Sequence, residues 1–185
     1  EDLRDQPAAA FARAIERLEN AGATLEWIDV PEVEDALGIA TCVFTSEAYG
    51  LWRDVIEANP DAMFSEILER FRIGKGYSGP DYVAAWAKLE VARMGYDQAV
   101  AGYDGVLLPA SPILPPNLEQ LVNDHDYYVS QNLLALRNTR IGNLMGVCAL
   151  TLPTGVPSCG LMMMCPPDME EYLLRLGAAV EEALS

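Results

Sequence analysis

His125 is the only histidine of this chain, and it stands between Asp124 and Asp126. An imidazole beside two carboxylates could act as a base or help hold a metal ion. A zinc site needs three or four ligands, and the chain offers no second histidine and no CxxC pair. No metal is therefore expected, and His125 reads as a solvated loop residue. Cys42, Cys148, Cys159 and Cys165 each lie in an apolar run, where buried reduced thiols are usually found. A Cys–His nucleophile pair would need Cys148 or Cys159 beside His125, and no spacing brings them together. Gly74-Lys75-Gly76-Tyr77-Ser78-Gly79 is rich in glycine, but it lacks the GK[ST] ending of a phosphate loop. Paired carboxylates such as Asp54 and Glu57 fall on helix faces, where exposed charge is ordinary.

The elements that position these residues follow from hydrophobic periodicity. Pro7 to Asn20 reads as a helix with Phe11, Ala14, Ile15 and Leu18 on one face, stopped by Asn20-Ala21-Gly22. Thr24 to Val30 alternates and reads as a strand ended by Pro31. A second helix is expected from about Glu32 to Asn59, with Leu37, Ala40, Phe44, Ala48, Leu51 and Val55 on its inner face. Asn59-Pro60 breaks it. Asp61 is expected to cap a third helix that buries Phe64, Ile67, Leu68 and Phe71. Pro80 to Gly102 is the longest helix, striped by Tyr82, Ala85, Trp86, Leu89, Ala92, Tyr96, Ala99 and Tyr103.

Gly105–Pro109 is a short buried strand, and Ala110–Asn117 a proline-rich loop. Leu118–Tyr128 is polar and carries no clear assignment. Ser130–Met145 is helical, Ala149–Leu152 and Gly160–Cys165 are strands, and Asp168 with Glu171 has capping-box spacing for a last helix. The expected fold class is α/β, a mixed β-sheet covered by helices, as a single domain over residues 1–185.

Composition narrows the function classes. Hydrophobic residues make up 51% and charged residues 22% of the 185, as in an ordinary globular domain. The net charge is −16, from 28 acidic and 12 basic residues. Such a field repels phosphate backbones, so no direct nucleic-acid binding is expected. No apolar run approaches the roughly 20 residues of a membrane span, and no signal-peptide pattern opens the chain. Four unpaired-looking cysteines fit a reducing, cytoplasmic setting.

The order of several short motifs resembles the C-terminal part of the amidase signature hydrolases. The first helix and strand, ending Ile28-Asp29-Val30-Pro31, resemble the family's helix, glycine, strand, proline segment, and Ser46-Glu47-Ala48 resembles its Glu-Ala. Arg70, Gly74 and Tyr82 fit an arginine, glycine and tyrosine pattern across two helices. Asp104 and Pro109 bracket a strand, and Thr139, Asn143 and Gly146 fit a Thr, Asn, Gly helix. Pro153 and Gly155 close the next strand, and Gly160-Leu161 opens the one after. Three positions depart from the pattern. Ala110-Ser111 replaces a Thr after Pro109, Cys148 stands where many members have Pro, and the turn from Gly155 to Pro157 is short.

The resemblance implies a Ser nucleophile, a bridging Ser and a Lys base in the parent enzyme. A hydroxyl needs such a base near neutral pH, and a lysine can be one if burial lowers its pKa. Lys75 and Lys88 are the only lysines, and neither precedes a Gly-Gly-Ser-Ser-Gly run. Both read as solvated surface lysines, so no catalytic residue is expected here and the catalytic half is expected upstream of Glu1. The resemblance implies that the parent takes a small-molecule amide substrate and needs no metal or organic cofactor. It also implies that this segment walls the substrate cleft, with Arg70 meeting a carboxylate through its planar fork and Tyr82 lining the wall. Asp104, Pro109, Thr139, Asn143, Gly146, Pro153, Gly155 and Gly160 are expected to be structural. An exposed strand edge is expected to favour a homo-oligomer. The other readings are a non-catalytic binding or assembly module with the same fold, part of the A component of an amidotransferase, and an unrelated α/β domain. The last would place Gly105–Pro109 and Ala149–Pro153 in different sheets.

Overall fold

A computed structural model describes residues 2–185. The chain divides into two compact units, one of residues up to Asp29 with Asp97–Ser185, the other Val30–Tyr96.

The first unit is built on a three-stranded antiparallel sheet. Its strands are β1 (Val106–Pro109), β2 (Cys148–Pro153) and β3 (Gly160–Cys165), in the order β1-β3-β2. Gly105–Pro109 and Ala149–Pro153 therefore lie in one sheet, either side of β3. The register pairs Leu107 with Met163, and Leu150 with Met163 from the other side. β3 is central, and its run Leu161-Met162-Met163-Met164-Cys165 is buried throughout. β2 alternates between half-buried and exposed positions, as a strand with one covered face should.

Helices α1 (Asp5–Asn20) and, near the C-terminus, Glu170–Leu184 cover one face. Phe11, Ala14 and Leu18 meet Leu161, Met163, Cys165, Leu173, Val180 and Leu184 in one apolar cluster. Burying each large side chain there contributes about 1.5–3 kcal/mol, so this cluster is the main source of the unit's stability.

Several sequence expectations are corrected in this unit. Thr24–Val30 alternates but pairs with no strand and forms no ladder. Its Trp27 instead sets its ring edge-on to Phe11, 6.1 Å between centroids. The final helix has no side-chain cap: Met169 precedes it, and Asp168 sits in the left-handed region at φ 61°. A capping box needs its first residue extended beside the helix, which that backbone forbids.

The second unit contains α2 (Pro31–Ala58), α3 (Ser65–Arg72) and most of α4 (Gly79–Val100). Pro31 takes the first position of α2, where its missing N–H costs nothing. The inner face of α2 carries Ala36, Ala40, Val43 and Ile56. Leu51 and Val55, expected there, are exposed. They follow Leu37, Ala40, Phe44 and Ala48 on a stripe that drifts around so long a helix. Asp61 belongs to a 3-10 turn, Pro60–Ala62, and Phe64 precedes α3 without a side-chain cap. Phe64 is thus outside the helix and exposed. α4 buries Ala85, Leu89, Ala92 and Tyr96, four of the stripe expected.

Candidate functional site

Pro109, Pro153, Gly155 and Gly160 lie at one end of the first unit's sheet, and Asp104 and Gly146 lie at the other, just before Val106 and Cys148. After Pro109 the ladder continues one step, with Ala110 N–H donating to the Gly160 carbonyl at 2.8 Å. A Cβ at Gly160 would stand 2.6 Å from Thr151 Cγ2 and 3.1 Å from Ala110 Cβ. Only a residue without a side chain lets three strands meet there. Ser111 turns back on its own loop, its hydroxyl donating to the Ile113 carbonyl at 3.1 Å.

Two further helices follow the loop after Ser111. Asn117 and Asp124 cap α5 (Leu118–Asn123) and α6 (His125–Ala135) by accepting from the N–H of Gln120 and Tyr127. The polar stretch without assignment is thus two capped helices, and His125 opens a helix instead of lying in a loop. Leu136, at φ −95° and ψ 0°, separates α6 from α7 (Arg137–Met145). The single helix expected over Ser130–Met145 is therefore two. Gly146 ends α7 in the left-handed region. The remaining helix, Glu170–Leu184, is α8.

Asn138 makes the tie that joins α7 to the sheet, its side-chain amide donating to the Pro109 carbonyl at 2.7 Å. The sequence points to Thr139 and Asn143 for such a role. Thr139 only donates back to Leu136 O within its own turn, at 3.1 Å, and Asn143 is exposed. Nothing in the sequence marks Asn138 beyond its place in a first helical turn.

The β2–β3 connection forms the floor of an open depression of ≈ 590 Å³, lined among others by Pro153, Gly155, Val156, Pro157 and Ser158. Its lining residues carry no charge, so it has no means of neutralising an ion. The Thr154 hydroxyl is spent inside the turn, donating to Cys159 O at 2.8 Å and accepting from Val156 N–H. Gly155 and Ser158 both hold positive φ, 78° and 63°. Such a turn fixes the hairpin geometry.

Asp104 ties the segment before β1 to α8. Its Oδ1 accepts from Tyr172 Oη at 2.8 Å, and its carbonyl accepts weakly from Cys165 Sγ at 3.4 Å. That hydrogen bond from the phenol, with burial second, raises Tyr172 above its ordinary range. Tyr103 is held likewise by Glu26 at 2.7 Å.

The two residues expected to touch substrate, Arg70 and Tyr82, belong to the second unit. Arg70 is half-buried on α3. Tyr82 is half-buried in the first turn of α4 and sets its ring edge-on to Trp86, 6.3 Å between centroids. Ser78 and Asp81 start that helix with reciprocal bonds: Ser78 Oγ donates to Asp81 Oδ2 at 2.6 Å, and Asp81 N–H donates to Ser78 Oγ at 3.2 Å.

Glu57, expected to be ordinary exposed charge on a helix face, is instead tied to three side chains. Glu57 accepts two bonds from Arg72, at 3.0 and 2.7 Å, one from Tyr49 Oη at 3.2 Å and one from Lys75 Nζ at 3.5 Å. The Arg72 guanidinium holds the Glu57 carboxyl down at about 2. Lys75 also lies 5.5 Å over the Tyr49 ring. It is exposed, as expected, but paired. Its pKa moves up, through the Tyr49 hydroxyl first and Glu57 next, the opposite of what a general base requires. Lys88 is exposed on α4. Pairs 15 and 18 residues apart leave no periodic trace in a sequence.

A family model described as Amidase matches residues 1–174. A 2-amino-5-chloromuconic acid deaminase of Comamonas testosteroni is 30% identical over 98% of this chain and 40% of its own length. The A component of the Rhodococcus erythropolis glutamyl-tRNA(Gln) amidotransferase is 30% identical over 95% of the chain and 41% of its own length. Among solved structures, one described as amidase covers the whole chain with a TM-score of 0.83 at 23% identity, over 43% of its own length. Allophanate hydrolase of Kluyveromyces lactis gives 0.87 at 17% identity, over 98% of the chain and 30% of its own length. The chain thus spans about two fifths of the curated relatives it matches. Among the described residues no helix is long and apolar enough to cross a membrane.

Proposed function

The chain belongs to the amidase family, and from that premise we propose that it is the C-terminal segment of an enzyme hydrolysing carboxamide C–N bonds. The single observation that carries this reading is the family match across residues 1–174. The share of relatives that the chain spans, about two fifths, supports its being one segment of a longer enzyme. The bond-breaking groups, a Ser nucleophile, a bridging Ser and a Lys base, belong to the remainder. Lys75 supports that division, because its pairing keeps it protonated. A protonated lysine cannot take a proton from a serine.

In this reading the segment shapes the cleft. Arg70 pairs with a carboxylate of the amide substrate through its planar fork, and Tyr82, fixed against Trp86, forms part of the wall. Asp104, Pro109, Gly146, Pro153, Gly155 and Gly160 hold the sheet and its helices, and Thr139 acts within the first turn of α7. The segment alone is inactive, and the enzyme works without a metal or organic cofactor in the cytoplasm, a setting that suits four free thiols. β1 and β2 each leave one edge unpaired by the other strands of this sheet, and such edges recruit further strands, in the same protein or in a second copy.

The similarity to the A components of glutamyl-tRNA(Gln) amidotransferases favours a second reading, in which the amide is glutamine and turnover needs partner proteins. The test is ammonia release from primary carboxamides, measured for the protein as the cell makes it and for this 185-residue stretch alone. Turnover by the first and none by the second supports the proposal. Turnover of glutamine only, and only with partners, selects the amidotransferase reading. No turnover under any condition leaves a binding or assembly module and overturns the hydrolase reading.

A further inference from the structure

We propose that Cys148 and Cys165 are an oxidisable dithiol, a modification site at which peroxide closes a cross-strand disulfide over the open end of the β2–β3 hairpin. The two residues are direct partners in the antiparallel register, the first of β2 and the last of β3. Directly opposed residues point to the same face of a sheet and stand about 4.5–5.5 Å apart at Cα. That separation lies inside the range, about 4.4–6.8 Å, that a disulfide spans without backbone movement. Cys148 Sγ already lies over its partner, donating to Cys165 O at 3.4 Å and Pro166 O at 3.2 Å. Both thiols are free.

Their burial assigns the order of events. Cys165 is buried, 2% exposed, while Cys148 is half-buried at the strand's start. The Cys165 thiol is raised above its ordinary range by burial first, with Cys148 and Asp104 nearby adding to it. Cys148 is therefore the residue that meets oxidant. Its thiolate attacks one peroxide oxygen, so an S–O bond forms and the O–O bond breaks. The departing hydroxide takes a proton and leaves as water. The Cys165 sulfur then attacks the sulfur of the Cys148 sulfenic acid, an S–S bond forms as the S–O bond breaks, and the hydroxide leaves with the Cys165 proton as a second water. Two thiols lose two electrons and the peroxide gains them. Closure withdraws the Cys165 S–H from Asp104 O, the residue whose carboxylate holds Tyr172 on α8. Cys42 and Cys159 have no such partner in the register.

The experiment treats the protein, as the cell makes it, with hydrogen peroxide, removes the peroxide, alkylates with N-ethylmaleimide in urea so that buried thiols react, and digests without reductant. The expected product is a peptide pair joining Cys148 to Cys165, lighter by two hydrogens and separated by dithiothreitol. Cys42 and Cys159 are expected to be alkylated in the same sample. Cys165→Ala should leave Cys148 as a sulfenic acid that dimedone captures. Cys148→Ser, at a half-buried position, should unfold like the parent and leave Cys165 alkylated. The proposal is overturned if Cys148 and Cys165 both remain alkylated after peroxide and after a direct thiol oxidant such as diamide. It is equally overturned if Cys148 bridges to another thiol or runs on to the sulfonic acid with Cys165 intact.

Discussion

The side-chain amide of Asn138 donates to the backbone carbonyl of Pro109 at 2.7 Å, joining the first turn of α7 to the last residue of β1. Both residues are half-buried. The carbonyl belongs to β1, an edge strand of this sheet, and Asn138 satisfies it where no further strand of the sheet does.

Removing that donor should therefore be costly. Asn138→Leu keeps the side chain's bulk but leaves the Pro109 carbonyl unpaired, a loss of about 1–3 kcal/mol. The unfolding midpoint in urea should fall with no change in slope. Asn138→Asp should fare no better, because a carboxylate cannot donate. Equal stability of the leucine variant and the parent would show that water replaces the bond.

Gly74 makes a sharper case. A Cβ there would stand 2.1 Å from the Thr45 carbonyl oxygen and 2.6 Å from its carbon. Both are backbone atoms of α2 that cannot swing away. Gly74→Ala should destabilise the second unit by about 1–3 kcal/mol or more, as overpacking does. Gly76→Ala, where an added Cβ meets nothing within 4 Å, should stay within about 0.5 kcal/mol of the parent. Urea unfolding of the two variants in parallel checks the contrast.

The contrast between these positions also marks what a sequence can carry. β3 is legible because Leu161-Met162-Met163-Met164-Cys165 is an unbroken apolar run between Gly160 and Pro166, and the central strand of a covered sheet needs that. Thr24–Val30 shows the limit of the same logic. Its alternation suits a strand, but a strand also needs a partner, which lies elsewhere in the chain. The α6–α7 break at Leu136 has no Gly or Pro to announce it, only a backbone turn. In the site, glycines at tight approaches are readable by type. Asn138 and the Glu57 pairs are not, because each depends on a contact between distant elements.

Glu57 ties acid stability to Arg72. Its folded-state value of about 2 lies below the ordinary 4.5. A depressed carboxyl stabilises the fold fully above the unfolded value and loses that contribution as pH falls toward the folded value. The gap in urea midpoint between the parent and Glu57→Gln should thus be widest near neutral pH. It should narrow as pH drops from about 4.5 toward about 2. Because both partners are about a third exposed, 32% and 37%, added salt should shrink the gap as well. A gap independent of pH would mean that Glu57 acts by packing alone.

Arg70 and Tyr82 make distinguishable predictions in the whole enzyme. If Arg70 holds a substrate carboxylate equally in ground and transition states, Arg70→Ala should raise KM about tenfold and leave kcat nearly unchanged. A substrate with its carboxylate removed should show no such difference. Arg70→Lys should recover only part of the loss, because a point charge cannot make the paired bonds of a guanidinium. Tyr82 contributes its ring, edge-on to Trp86, so Tyr82→Phe should be close to neutral while Tyr82→Ala should raise KM. A merely structural role would lower the unfolding midpoint and reduce activity on both substrates alike. Measuring urea unfolding beside the kinetics separates the two, and a kcat loss without a KM change on either substrate would remove Arg70 from the cleft.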